Sequence, residues 1–269
     1  MEAFNKEKRS QTHEEFLLIL PLFQKLIQTQ EDTTGSYDIL EEMISLRASF
    51  LLDRVFEGMH MDFNKALNLL RSNNELTTLQ EKEERDILVA AIDNLVDFAA
   101  AEEFTLMKEL PNDIDTEHPE LYENICKKYN EVYATQENGD VFHAATMAAW
   151  WITVPQDTLV SYMTQGDERV RAWHLSMEGL TFPKHKFPEA LIPPIEHGCR
   201  CYLMTEGSMP SIHASLKRDV DYQKKVNPVF TGSLACKGKI FSQSHSYFKI
   251  ALPDKIETIV KRIKNKFYI

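Results

Sequence analysis

Between residues 167 and 201 the chain gathers one Asp, two His and a Cys-x-Cys pair: Asp167, His174, His197, Cys199 and Cys201. Thiolates and imidazoles are the donors Zn²⁺ prefers, and a structural site wants four ligands in a tetrahedron. Four prolines fall between positions 183 and 194. The backbone there cannot close a regular ladder of hydrogen bonds, so a bound ion would staple a loop that lacks other means of support. One residue between Cys199 and Cys201 strains a disulfide but suits shared ligation. The expected ligands to Zn²⁺ are His174, Cys199 and Cys201, with Asp167 or His197 as the fourth.

The same residues admit other chemistry. Cys199 and Cys201 can be small residues packed in a turn, with His174 simply hydrogen-bonded. Arg169, Arg171 and Arg200 can pair with Asp167 and Glu178 in bidentate bridges that fix the loop. Cys199 with His174 can be written as a thiol–imidazole pair. The chain has no glycine-rich phosphate loop, no His-Glu-x-x-His and no Gly-x-Ser-x-Gly elbow. No catalytic residue is therefore assigned, and a structural protein is expected rather than an enzyme. The alternative is a nucleic-acid-binding protein or a zinc-dependent nuclease or hydrolase.

The run Gly166-Asp-Glu-Arg-Val-Arg-Ala-Trp-His174, then Gly179, then Pro193-Pro194, then Cys199-Arg200-Cys201, resembles the phage Mu F-like family of minor head (head-morphogenesis) proteins. Asp167, Arg169, Val170, Arg171 and His174 match its Asp-x-Arg-Val-Arg-x-x-His element. His143, Ala144, Ala145 and Trp150 precede that element in keeping with the family. Two positions depart from it: Arg171 stands where many relatives carry Cys, and Glu196 where some carry His. The resemblance covers residues 140–205 and implies a component acting near the portal in head assembly or in DNA packaging and ejection. Portal or other capsid proteins, and DNA, are its expected partners. The expected place of action is the host bacterial cytoplasm during assembly, and the virion.

The elements that must position this motif follow from apolar spacing. Phe16, Leu20, Phe23 and Ile27 share one helical face. Asp38-x-x-Glu41 is read as the opening of a second helix with the stripe Ile39, Met43, Leu46, Phe50 and Val55. Thr78-Leu-Gln-Glu81 has the capping-box pattern, ahead of Ile87, Ala91, Leu95 and Phe98. Pro119 suits the first turn of a helix running through Tyr122, Ile125, Tyr129 and Val132. Residues 141–151 predict a short helix ending in Trp150 and Trp151. Residues 236–250 predict one or two short strands around a turn. Residues 254–268 predict an amphipathic helix with Ile256, Ile259, Val260, Ile263 and Phe267 inward.

Charge is distributed unevenly. Residues 1–140 carry 13 Lys and Arg against 30 Asp and Glu, a net of −17, while residues 211–269 carry 12 against 4, a net of +8. The acidic front repels nucleic acid, and Lys255, Lys261, Arg262, Lys264 and Lys266 are the candidate contacts to DNA or an acidic partner. Four scattered cysteines do not make a disulfide framework, so reduced thiols are expected. The first residues do not read as a secretory signal, and the longest apolar run, Phe16–Phe23, is broken by Pro21 and is too short to cross a bilayer. The expected fold class is α+β: a mostly helical region (1–138), a small α+β Mu F-like module (139–205) and a basic C-terminal extension with short strands and a final helix (206–269).

Overall fold

The computed structural model describes residues 2–29, 33–72, 75–205 and 221–268. The helices are α1 (Glu2–Gln28), α2 (Thr33–Gly58), α3 (Phe63–Arg71), α4 (Leu79–Lys108), α5 (Glu123–Lys127), α6 (Ala134–Thr153), α7 (Ala172–Leu175) and α8 (Asp254–Asn265). Three short strands, β1 (Leu159–Met163), β2 (Thr181–Pro183) and β3 (Tyr202–Thr205), form an antiparallel sheet in the order β2-β1-β3. The fold is α+β with a mostly helical N-terminal part. No helix among the described residues is long and apolar enough to cross a membrane. Residues 206–220, the start of the basic extension, lie outside the described residues.

The chain divides into two compact units, and neither is continuous in sequence. The first comprises residues 1–54, 92–139 and 243–269; the second comprises 55–91 and 140–242. One of these divisions falls between Gly139 and Asp140, within α6. The three consecutive regions expected from sequence do not persist, because α2, α4 and α6 each supply residues to both units. The final helix joins the helical unit rather than forming an extension. Its apolar stripe explains why: Ile256, Ile259, Val260 and Ile263 are all buried.

In the helical unit, Phe16, Ile19, Phe23 and Ile27 of α1 are buried as the spacing requires, with Leu20 at the margin. The second helix begins at Thr33, ahead of the Asp38 start expected from sequence. Its stripe contains Met43 and Phe50, but Arg47 takes the inward position next to half-buried Leu46. Arg47 donates from Nε to Glu102 Oε2 (2.7 Å), from Nη1 to Asn138 Oδ1 (2.7 Å) and from Nη2 to Glu137 Oε2 (2.8 Å). Buried Arg54 bridges to Glu15, and Tyr247 Oη donates to Glu137 Oε1 at 2.9 Å. Such a network holds only because its charges are mutually paired, since an isolated buried charge is costly. The capping box forms as expected: Glu81 N donates to Thr78 Oγ1 (3.1 Å) and Thr78 N to Glu81 Oε2 (3.0 Å). The helix expected after Pro119 is a 3₁₀ turn, then α5, then a π-helical stretch at Lys128–Tyr133 leading into α6.

In the second unit, the short helix expected over 141–151 is the later part of α6. The strands expected over 236–250 are absent; that stretch leaves the second unit after Ser242 and holds 3₁₀ turns at Leu234–Cys236 and, in the helical unit, at Ser246–Lys249. Ser233 and His245 cap these turns by accepting from Ala235 N and Tyr247 N. Side-chain capping of local turns thus displaces the ladder that β-prone residues suggested.

Candidate metal centre

Cys199 and Cys201 turn toward His174, while Arg200 between them turns to Asp167. The two thiols point into the second unit, each 3% exposed, where His174 of α7 meets them at 2% exposure. His174 Nδ1 lies 3.2 Å from Cys201 Sγ and 4.0 Å from Cys199 Sγ, and the three donor atoms fall within 4.8 Å of one another. A tetrahedral zinc ion would set nitrogen and sulfur roughly 3.5 Å apart, so the observed separations bracket what it requires. The other ring nitrogen, His174 Nε2, is 3.2 Å from Glu196 Oε2. A carboxylate there accepts a hydrogen bond from Nε2–H and leaves the Nδ1 lone pair facing the sulfurs, the arrangement that orients a metal-bound histidine.

Electrostatics separates the two thiols. The Cys199 thiol donates toward Cys201 and holds it below the usual thiol range; burial opposes this, and Tyr162, Arg200 and Arg171 add to the lowering. Cys199 itself is pushed well up, by its partner and by burial. All four cysteines are free: Cys126, Cys199 and Cys201 are buried and Cys236 is exposed.

Asp167 and His197, the residues expected as fourth ligand, stand outside the group. Asp167 accepts two bonds from Arg200, at 2.7 Å each, and one from its own loop at Arg169 N. That bidentate pair holds Asp167 below the usual carboxylate range. His197 turns to Asp140, with Nδ1 3.3 Å from Oδ2, and packs edge-on against Phe230. The arginines act as clamps, with different partners from those expected. Arg171 reaches Glu196 Oε2 (3.2 Å) and the His197 carbonyl (2.8 Å), whereas Glu178 accepts from Thr164. Arg169 borders, together with Arg171, Arg200, His174 and Cys201, a void of ≈ 10 Å³. That is room for about one water molecule. Trp173 lies against His174 with ring centroids 4.2 Å apart.

Four further side chains build the site without having been singled out as site residues by sequence. Asp140, 1% exposed, accepts from Gly198 N at 2.8 Å and so fixes the turn before Cys199. Gly198 has φ +67°, a conformation that favours glycine. Half-buried His143, kept neutral by burial, donates Nε2–H to the Cys201 carbonyl at 2.7 Å. Glu196 orients His174. Tyr162, fully buried on the central strand, has a hydroxyl with no hydrogen-bond partner among the described residues. Asp140 and His143 stand three apart on α6, where the polar first turns give way to the apolar run that follows. Gly179, at φ +78°, donates its N–H to the Tyr162 carbonyl (2.8 Å), and Pro193 and Pro194 are buried on either side of a cis peptide bond.

Three basic residues in and just after α8 meet acidic residues of their own unit. Arg262 lies 2.5 Å from Glu41, Lys264 lies 2.8 Å from Asp97, and Lys266 lies 3.7 Å from Glu41. Lys255 sits over the Tyr37 ring, and Lys261 is exposed.

No family profile matches the chain, and no solved structure matches it significantly. A 71-residue stretch is 34% identical to an uncharacterized protein of Methanocaldococcus jannaschii, covering 26% of this chain and 11% of that protein. The chain thus spans about a tenth of the length of the curated relative it matches.

Proposed function

We propose that this protein is a minor head (head-morphogenesis) protein of a tailed phage or prophage, with a second unit stapled by Zn²⁺ through His174, Cys199 and Cys201. It acts in capsid assembly or in DNA packaging and ejection near the portal, in the host bacterial cytoplasm. The observation that carries the reading is the convergence of the motif around a buried His174, Cys199 and Cys201 group. His174 meets both thiols, Asp167 clamps Arg200, and Gly179 ties to the central strand. His174, Cys199, Cys201, Asp167, Arg171, Gly179 and Arg200 of the Mu F-like resemblance then each have a holding task. The ≈ 10 Å³ void beside His174 and Cys201 suits one water-sized ligand and is far too small for an organic substrate, which favours architecture over catalysis.

Capsid proteins are the favoured partners over DNA. The α8 cations that could neutralise phosphate are largely committed to carboxylates, and salt-sensitive binding to nucleic acid needs free ones. The direct test is co-expression with the portal protein of the same genome, followed by affinity capture and sedimentation of assembled heads. The reading expects co-purification with portal and a few copies per head. Absence of the protein from both portal complexes and heads would contradict it.

A further inference from the structure

Three donors leave a tetrahedral ion one ligand short. The candidates nearest in sequence are engaged elsewhere: Asp167 by Arg200, and His197 by Asp140. Glu196 approaches the far nitrogen of His174, where it orients the ring rather than meeting the ion. Among the described residues, the buried Tyr162 hydroxyl, on the strand paired with β3, also has no hydrogen-bond partner. Buried hydroxyls nearly always find a partner, so this one marks a place where something is missing.

The position of Tyr162 is tightly held. Its N–H donates to the Leu180 carbonyl and its own carbonyl accepts from Gly179 N, while β1 pairs with β3, placing Tyr162 opposite Leu203. Cys201 immediately precedes β3, so the strand pairing brings the phenol and the Cys-x-Cys segment together. The phenol lies against both sulfurs without meeting either at hydrogen-bonding geometry.

We infer that Tyr162 Oη is the fourth ligand, completing a Cys₂-His-Tyr site for Zn²⁺ with His174 Nδ1, Cys199 Sγ and Cys201 Sγ. This rests on the metal-staple reading above and specifies its donor set. On binding, two S–H bonds and one O–H bond are exchanged for two Zn–S bonds and one Zn–O bond, His174 adds its lone pair, and three protons pass to solvent. The centre then carries one net negative charge. Arg171 and Arg200 border the same small void as His174 and Cys201 and are placed to offset it. An anionic donor set is thus matched by its surroundings, and the sheet becomes part of the staple: the ion ties β1 to α7 and to the segment entering β3.

The test is titration of the full-length protein and of Tyr162→Phe with Co²⁺ and Zn²⁺, followed by absorption spectroscopy and competition with a chelating dye. With wild type, Co²⁺ gives thiolate charge-transfer bands, and both ions give the ultraviolet difference spectrum of tyrosinate. In Tyr162→Phe the thiolate bands persist, the tyrosinate signal vanishes, and Zn²⁺ affinity falls at least about tenfold, as loss of a supporting or coordinating group does. Thiolate bands without a tyrosinate signal in wild type would overturn the inference and leave the staple intact, with water in the small void as fourth ligand. No thiolate bands with either ion would overturn both. Should Tyr162→Phe fail to fold, the wild-type difference spectrum decides alone.

Discussion

At the scale of single residues, the molecule places charge where sequence reading expects only hydrocarbon. Glu103 is fully buried in the helical unit, and neither carboxyl oxygen has a hydrogen-bond partner among the described residues. Burial, and then the neighbouring charge of Glu102, raises its pKa to about 8 against the partial relief of Arg47. An ordinary glutamate in the unfolded chain titrates near 4.3, so the folded state holds a proton that the unfolded state has lost. The sign follows from that difference. The contribution of Glu103 is fully present below the unfolded value and is lost as pH rises toward and through about 8. Between these values one retained proton weakens folding by about 1.4 kcal/mol per pH unit. Glu103→Gln should remove that slope, and denaturant unfolding at pH 6 and pH 8.5 reads it. An unchanged slope would show that Glu103 ionises normally in the folded protein. This pocket was not legible beforehand, because charged residues beside an apolar stripe are ordinarily solvated. Only tertiary pairing shows that Arg47, Glu102 and Glu137 face inward.

At the scale of elements, the close approaches are made by residues that offer little side chain. At the end of α2, a Cβ added to Gly58 would lie 2.7 Å from both Ala145 Cβ and the Phe142 carbonyl oxygen of α6. The α6 backbone cannot yield cheaply there. Gly58→Ala should destabilise the second unit by roughly 1–3 kcal/mol, the range of overpacked sites, despite the higher helix propensity of alanine. Thermal unfolding checks it, and a variant as stable as wild type would mean the helices separate freely. Helix existence was readable from periodicity for α1, α4 and α8, where the apolar stripes and the Thr78–Glu81 capping box are local signals. Helix extent was less so. The start of α2 and the merging of residues 123–153 into consecutive helical segments depend on burial against distant parts of the chain. The strands expected near the C-terminus gave way to turns because Ser233 and His245 cap them locally.

At the scale of the whole molecule, acidic and basic regions that look like separate surfaces in sequence are complementary within one unit, as the contacts of Arg262 and Lys264 illustrate. The discontinuous units could not be read from a chain considered in order. The candidate site was legible in its three principal residues, because a Cys-x-Cys pair and a distant His declare their chemistry by type. Its supports were not. Asp140, His143 and Tyr162 matter through positions that only the fold assigns. The central claim is that a metal ion held by His174, Cys199 and Cys201 carries the second unit, and its most direct test is metal analysis joined to unfolding of the intact chain. Protein purified without chelators should hold one Zn²⁺ per chain and lose several kcal/mol of stability when the ion is removed, as folding and structural zinc binding are coupled. Cys199→Ser and Cys201→Ser should show the same loss without chelator. Protein free of metal, with both variants melting as wild type does, would contradict the account.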